Sequence, residues 1–289
     1  MCSSDLGVVW LLAFFVVAFY AVMAVAFGSV DPILRTARPS WNPLQWDTHT
    51  FRDVVQRVAT GDLRTVFVRT FLFVVAALAG CIAIGYPIAY FVARRAGKRR
   101  GLVLGLLVLP FWISYLMRML AWTNLLEPDG LVNRVLHTLH LQQQPRNWLD
   151  GSWPTVVIGL VYGYVPFFIL PLYSSLERID NRLIEAGRDL GASGRRTFLS
   201  VTLPLSMPGL LAASVITVLP MFGDYFTNTY LTGGSTRTEM IGNQIEHYLM
   251  GTTQPQTGAS LVLVLMVFLL VLMAYYLFTI VRQQRLADR

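Results

Sequence analysis

Few side chains in this sequence could perform chemistry, and they do not stand at catalytic spacings. His137 and His140 form an H-x-x-H pair in a loop, without the helical glutamate of an H-E-x-x-H zinc site. Ser193 lies in a G-A-S-G segment that matches the G-x-S-G pattern of intramembrane serine proteases. Charged residues flank that segment on both sides, which places it in a solvated loop and not at the depth of a buried helix. A hydrolase that uses Ser193 is therefore kept only as an alternative.

The sequence also offers no internal source of energy for transport. An ion-coupled carrier needs ionisable residues inside its membrane spans, and the nearest are Arg118 and Asp224, at the ends of two apolar stretches. The single lysine, Lys98, has no glycine-rich lead, so it does not belong to a phosphate-binding loop. If this protein moves a solute uphill, a partner must supply the work.

The composition predicts a protein that crosses a membrane several times. Of its 289 residues, 55% are hydrophobic and only 13% are charged, against about 25% charged in an ordinary soluble domain. We predict an all-α bundle of six transmembrane helices, because each apolar stretch can cross ~30 Å of hydrocarbon. The predicted spans cover residues 8–27, 70–92, 101–117, 154–173, 207–222 and 260–281. Together they form a single transmembrane domain over residues 1–289.

Arginine placement predicts the orientation of these spans. Basic residues outnumber acidic ones in the segments on the side of the two termini, whereas the net charge of the segments on the opposite side is zero. By the positive-inside rule both termini are cytoplasmic. The net charge of +7 does not indicate nucleic-acid binding, because the arginines lie in the connections between apolar stretches. Cys2 and Cys81 offer no disulfide framework, and Cys81 fits a small packing residue.

An amphipathic pattern outside the spans predicts a short surface helix. Apolar residues recur at helical spacing over residues 51–58, and Thr50 could cap the start of the helix. On the opposite side of the membrane, residues 177–204 have a more elaborate pattern. There we predict a helix over residues 181–190, capped by Asp180 or Asn181 and stopped by Gly191. A second short helix over about 195–201 leads to Leu203 and Pro204.

The small residues of this segment allow a close approach by another protein. Leu183, Ala186, Gly187 and Leu190 share one helical face. The same face could instead lie on lipid headgroups, and the pattern alone does not separate the two.

The segment resembles a signature of importer permeases of the ATP-binding-cassette class. Its consensus is E-A-A, then glycine after three residues, then I-x-L-P after nine more. The corresponding residues here are Glu185, Ala186, Gly187, Gly191, Val201, Leu203 and Pro204. Gly187 and Val201 depart from the consensus by small changes. From Leu109 onward the chain is similar to the first permease subunit of importers of the spermidine/putrescine type.

The resemblance implies a type I importer permease in the cell inner membrane, with several partners. These would be an ATP-binding-cassette ATPase dimer, a second permease subunit, an external substrate-binding protein and the lipid bilayer. ATP and magnesium would be bound by the ATPase and no cofactor by this chain. The helix over 181–190 would couple ATP hydrolysis to the bundle, so the chain itself would be no enzyme.

A polyamine is the cargo that the resemblance favours. Flexible cations need carboxylates and aromatic faces along their pathway. The candidates are Asp224, Tyr225, Trp112, Tyr115 and Trp122. Asp224 could equally cap a helix or loop, and the tryptophans could anchor the chain at the membrane interface. Related families carry thiamine, ferric iron, opines, phosphonates or amino acids, and these remain alternative cargoes.

Overall fold

The computed structural model describes residues 4–31, 36–142, 144–251 and 254–287, and Cys2 lies outside them. The chain divides into two compact units. Unit 1 comprises Met1–Val68 and Met240–Leu272, and unit 2 comprises Arg69–Glu239 and Met273–Arg289. The fold class is all-α, as predicted, apart from one two-stranded hairpin among the described residues.

The helices that are long and apolar enough to cross a membrane number five among the described residues. They are Gly7–Ala26, Leu63–Arg94, Trp153–Glu177, Gly194–Phe222 and Pro255–Thr279. A sixth span results if Gly97–Trp112 and Tyr115–Leu126, which meet at 89°, are counted together.

The predicted third span, residues 101–117, is therefore not one straight helix. The chain instead forms α4 (Arg100–Val108), a 3-10 turn over Leu109–Trp112 and α5 (Tyr115–Leu126). Pro110 lies in the first positions of the 3-10 turn, and Ile113 and Ser114 are extended. A proline has no N–H for the helical hydrogen bonds. Helix α4 therefore narrows into the 3-10 turn and ends, and α5 begins in a new direction.

Unit 1 contains α1 (Ser4–Ala26), α2 (His49–Ala59), α12 (Ile241–Glu246) and the first parts of α3 (Leu63–Arg94) and α13 (Pro255–Ala287). Two short antiparallel strands, β1 (Ser29–Val30) and β2 (Ala37–Arg38), follow α1, with Ser29 opposite Arg38. A small core of Ala26, Ala259 and Leu263 is covered by partly buried aromatic side chains. These contacts hold the start of α13 against the end of α1.

Helix α2 forms where the amphipathic pattern places it, but its cap differs from the prediction. The carboxylate of Asp47 accepts the backbone N–H of His49 at 2.8 Å, and Thr50 lies inside the first turn. At the other end, Arg57 donates to both carboxylate oxygens of Asp62, at 3.0 and 2.7 Å. This guanidinium holds the pKa of Asp62 below its usual range.

In unit 2, the short helix α6 (Leu131–Thr138) follows α5. The unit is organised around close packing of α7 (Trp153–Glu177) and α10 (Leu203–Phe222). A Cβ atom on Gly209 of α10 would lie 2.1 Å from the Cβ of Ser175 in α7. A Cβ on Gly85 of α3 would lie 2.7 Å from the ring of Phe168. Small residues let membrane helices approach closely where hydrophobic burial cannot drive association. Cys81 is fully buried, which fits its interpretation as a packing residue.

We expect Gly209→Ala to lower the free energy of unfolding by about 1–3 kcal/mol, because the added methyl group would overpack the contact with Ser175. The matched control is Gly223→Ala at the end of α10, where the nearest atom to an added Cβ is 3.8 Å away. The thermal midpoint of each purified variant in detergent measures the difference. Equal midpoints for the two variants would contradict the packing argument.

Candidate functional site

The segment between α7 and α10 begins with a short, well-capped helix, α8 (Asn181–Asp189). At its start, the carboxylate of Asp180 accepts the N–H of Arg182 at 2.9 Å. At its end, Gly191 has a φ of +81°. Its N–H donates to the carbonyl of Arg188 at 2.8 Å, and the N–H of Ala192 donates to that of Gly187 at 3.2 Å. These two bonds form a Schellman motif, so the predicted cap and glycine stop are both confirmed.

The second predicted helix does not end near Val201 but continues into the next one. Helix α9 (Gly194–Thr197) is capped by Ser193, whose hydroxyl accepts the N–H of Arg196 at 3.4 Å. It continues through a π-helical turn over Phe198–Thr202 into α10. Pro204 has no N–H to donate to the helix. The helix still continues, because the N–H of the preceding Leu203 donates to the carbonyl of Phe198, five residues earlier, in the wider π-helical turn. The result is one helix over Gly194–Phe222, longer than the predicted fifth span of 207–222.

The face of α8 that was predicted to be small and outward is divided in two. Ala186 and Glu185 are exposed, and Leu190 at the tip is 89% exposed. Gly187 instead faces the chain itself, where an added Cβ would lie 3.4 Å from Thr197 and 3.6 Å from Val201. Position 187 therefore lies in van der Waals contact with the following helix, whereas the outward surface of α8 includes Leu183, Glu185, Ala186 and Leu190.

One arginine fixes α8 to the transmembrane helices of unit 2. Arg94, in the last turn of α3, donates to the carbonyls of Leu176 and Ile179, both at 3.0 Å. It also donates to the side-chain oxygen of Asn181 at 2.6 Å. Helix C-termini leave carbonyls without partners, and here a single guanidinium binds the end of α7 and the start of α8 together.

A second site in unit 2 centres on Asp224, which lies between α10 and α11 (Phe226–Leu231) and is only 4% exposed. One carboxylate oxygen accepts the N–H of Thr227 at 2.9 Å. The other accepts hydroxyls from Tyr115 at 2.6 Å, Thr227 at 2.9 Å and Tyr164 at 3.0 Å. Asp224 thus caps the turn into α11 and ties it to α5 and α7.

The structure brings together some of the predicted pathway residues and not others. Tyr115 contacts Asp224 directly, and Trp122 packs edge-to-face on Tyr162 at 5.1 Å. Tyr225 stacks on Phe226 at 4.1 Å. Trp112 is 86% exposed in the bend between α4 and α5 and takes no part in the cluster.

Sequence reasoning missed Tyr164 and Thr227. The spacing of Thr227, three residues after Asp224, is that of a capping bond and could have indicated it. Tyr164 lies inside an apolar span and gave no local signal.

The remaining candidates do not assemble into a reactive centre. Within the described residues, no group of three or more His, Cys, Asp or Glu could hold a metal ion. The hydroxyl of Ser193 is exposed at a helix start, where it serves as a cap.

Comparisons with known proteins give this geometry a context. The family described as "Binding-protein-dependent transport system inner membrane component" matches residues 85–286. The spermidine/putrescine transport system permease protein PotB of Haemophilus influenzae is 34% identical over 97% of this chain and 92% of its own length. PotB of Escherichia coli K12 is 36% identical over 68% of this chain and 70% of its own length.

One similar solved structure is the bacterial alginate ABC transporter in complex with a periplasmic protein that binds alginate pentasaccharide. Its chain is 16% identical in sequence and aligns with a TM-score of 0.65 over 94% of both chains. At that identity the likeness shows the fold alone.

We expect Asp224→Asn to destabilise the chain by about 1–3 kcal/mol, because an amide cannot accept all the donors that now surround the carboxylate. Tyr164→Phe removes one donor and should cost about 1 kcal/mol. Thermal midpoints in detergent report both effects. Asp53→Asn, at an exposed position on α2, is the control, and an Asp224→Asn midpoint equal to that of the control would contradict the capping role.

Proposed function

We propose that this chain, which belongs to the family of inner membrane components of binding-protein-dependent transport systems, forms the translocation pathway of a polyamine importer. It is a multi-pass inner membrane protein and a transport subunit, not an enzyme. The observation that carries the cargo proposal is the match to a spermidine/putrescine permease over nearly the whole length of both chains.

The chemistry of unit 2 is compatible with a cationic cargo. Aromatic rings of Tyr115, Tyr164 and Phe226 lie around the Asp224 cluster, at centroid separations of 5.8 and 5.9 Å from Tyr115. Aromatic faces attract ammonium groups without the rigid cage that a small ion requires. Asp224 itself is saturated with protein donors, so we assign it the positioning of these rings and not direct contact with cargo.

The importer would comprise four kinds of component besides the lipid. An external binding protein would deliver the cargo, which agrees with the family description of a binding-protein-dependent transport system. We propose a pair of ATP-binding-cassette ATPases, which bind ATP and magnesium, and a second permease subunit of related sequence. The chain would contribute half of the pathway and one docking point for an ATPase.

The docking point is the outward surface of α8. Leu190 and Leu183 expose apolar area beside Glu185 and Ala186 at the tip of a helix held rigidly by its caps. Exposed apolar groups on a rigid, small-residue surface are typical of protein interfaces. When the ATPases close on ATP, α8 would move with them, and Arg94 and the continuous helix from Gly194 would carry that movement into the membrane-spanning helices of unit 2.

The hydrolase alternative finds no support in the site. Its nucleophile, Ser193, accepts a backbone N–H at an exposed helix start, and the neighbouring side chains are arginines. Replacing Ser193 with alanine should therefore leave uptake in place.

Uptake by the reconstituted importer tests the cargo. Proteoliposomes containing the chain with its cognate ATPase and second permease should accumulate radiolabelled putrescine or spermidine when binding protein and ATP are present. An ATPase variant that cannot hydrolyse ATP should abolish accumulation, which separates an importer from a passive channel. Uptake of thiamine or an amino acid in place of polyamine would overturn the cargo proposal and leave the importer class intact.

Two substitutions in the α8 segment should weaken the coupling between the ATPases and the translocation pathway. Gly191→Val forces a branched side chain to a φ of +81°, which costs about 1–2 kcal/mol and disturbs the end of α8. Glu185→Lys reverses a charge on the outward surface. For both variants we expect uptake to fall at least fivefold, and cargo-stimulated ATP hydrolysis in proteoliposomes to fall with it.

Gly105→Val is the matched control for the glycine change, because an added side chain there meets no atom within 4 Å and its φ is not positive. It should keep near wild-type uptake. Normal uptake and normal ATPase stimulation in both α8 variants would refute the docking role.

A further inference from the structure

Arg118 is a buried cation without an anionic partner. It lies on α5 and is only 7% exposed. Its Nε and Nη1 atoms have no hydrogen-bond acceptor, and no carboxylate of the described residues lies within 4.0 Å of its guanidinium. An unpaired buried charge is costly, so something else must stabilise it.

Aromatic rings take the place of the missing anion. The central carbon of the guanidinium lies 4.1 Å from the ring centre of Phe111, 5.2 Å from that of Tyr115 and 5.9 Å from that of Tyr162. These distances are within the range of cation–π attraction. The rings come from the 3-10 turn before the bend, from α5 and from α7, and we call them the aromatic cage.

Asp224 strengthens the cage through Tyr115. The phenol of Tyr115 donates to the Asp224 carboxylate at 2.6 Å, and a hydrogen bond to an anion pushes electron density into the ring. The face that Tyr115 presents to Arg118 is thereby made more negative. Gly163 makes room for this arrangement, because a Cβ there would lie 2.7 Å from the Tyr115 hydroxyl oxygen.

We propose that the aromatic cage is a binding site for organic ammonium and guanidinium groups, and that Arg118 occupies it as a tethered stand-in when no cargo is present. The proposal rests on the proposed cationic cargo. Two nitrogen atoms of the Arg118 guanidinium, Nε and Nη1, make no hydrogen bond, and its arm is flexible, so the guanidinium can leave without breaking a hydrogen-bond network. An alkylammonium group of the cargo would then take the vacated place, and the return of Arg118 would help to release it.

The test compares Arg118→Met, which keeps an unbranched apolar arm but removes the guanidinium, with Arg118→Lys, which keeps a tethered cation. Binding of radiolabelled putrescine to the assembled complex in nanodiscs, without binding protein, is measured for both. We expect Arg118→Met to bind putrescine at least tenfold more tightly than wild type and to transport it more slowly. Arg118→Lys should stay within about threefold of wild type. Equal affinities for the two variants would overturn the proposal.

A second measurement uses a cation that fills the cage whatever the cargo is. Propylguanidinium should raise the thermal midpoint of Arg118→Met but not that of the wild-type complex, and neutral propylurea should raise neither. A failure of propylguanidinium to stabilise Arg118→Met would refute the cage. If it stabilises the variant while the wild-type complex transports no polyamine, the cage stands and the cargo proposal fails. If wild type transports polyamine but Arg118→Met shows neither tighter putrescine binding nor stabilisation by propylguanidinium, the cage proposal fails and the cargo proposal stands.

Discussion

The position of the α8 segment depends on the guanidinium of Arg94. The last carbonyls of α7 have no partners within their own helix, and at the edge of a membrane such groups must be satisfied by protein or by water. Arg94 binds one of them, from Leu176, and also the carbonyl of Ile179 just after α7. With the same guanidinium it binds Asn181 at the start of α8. The ends of α3, α7 and α8 are thereby held at one point. A shift of α8 cannot occur without a response from α3 and α7.

The features that the sequence predicted well are those set by nearby residues. Apolar length defines most of the membrane helices, and the caps of α8 follow from Asp180 and Gly191, whose hydrogen bonds reach only a few residues along the chain. The predicted cap of α2 was wrong because the helix begins at His49, one residue before Thr50, and the side chain of Asp47 accepts the N–H of His49. Predicted cytoplasmic placement of the termini stays a prediction.

Features that depend on packing between distant segments could not be predicted. A proline in an apolar run accompanies a bend after Leu109–Trp112 but an unbroken helix through Pro204. The neighbouring sequence does not indicate which of the two structures forms. Gly187 was assigned to an outer surface because its helical face was known and the position of Thr197 was not. The Asp224 cluster joins residues about 60 and 109 positions apart. Its carboxylate could be identified as unusual from the sequence, but its donors could not.

The continuity of Gly194–Phe222 gives this helix the properties of a lever arm. Its 29 residues extend for about 43 Å at 1.5 Å per residue. Tilting such a rod by about 5° about one end displaces the other by roughly 4 Å, which is comparable to the pitch of one helical turn. The π-helical turn over Phe198–Thr202 inserts an extra residue into that rod and rotates its two ends relative to each other. A displacement of the helix at Gly194 would therefore move the end near Asp224, in a direction rotated about the helix axis by a fixed angle.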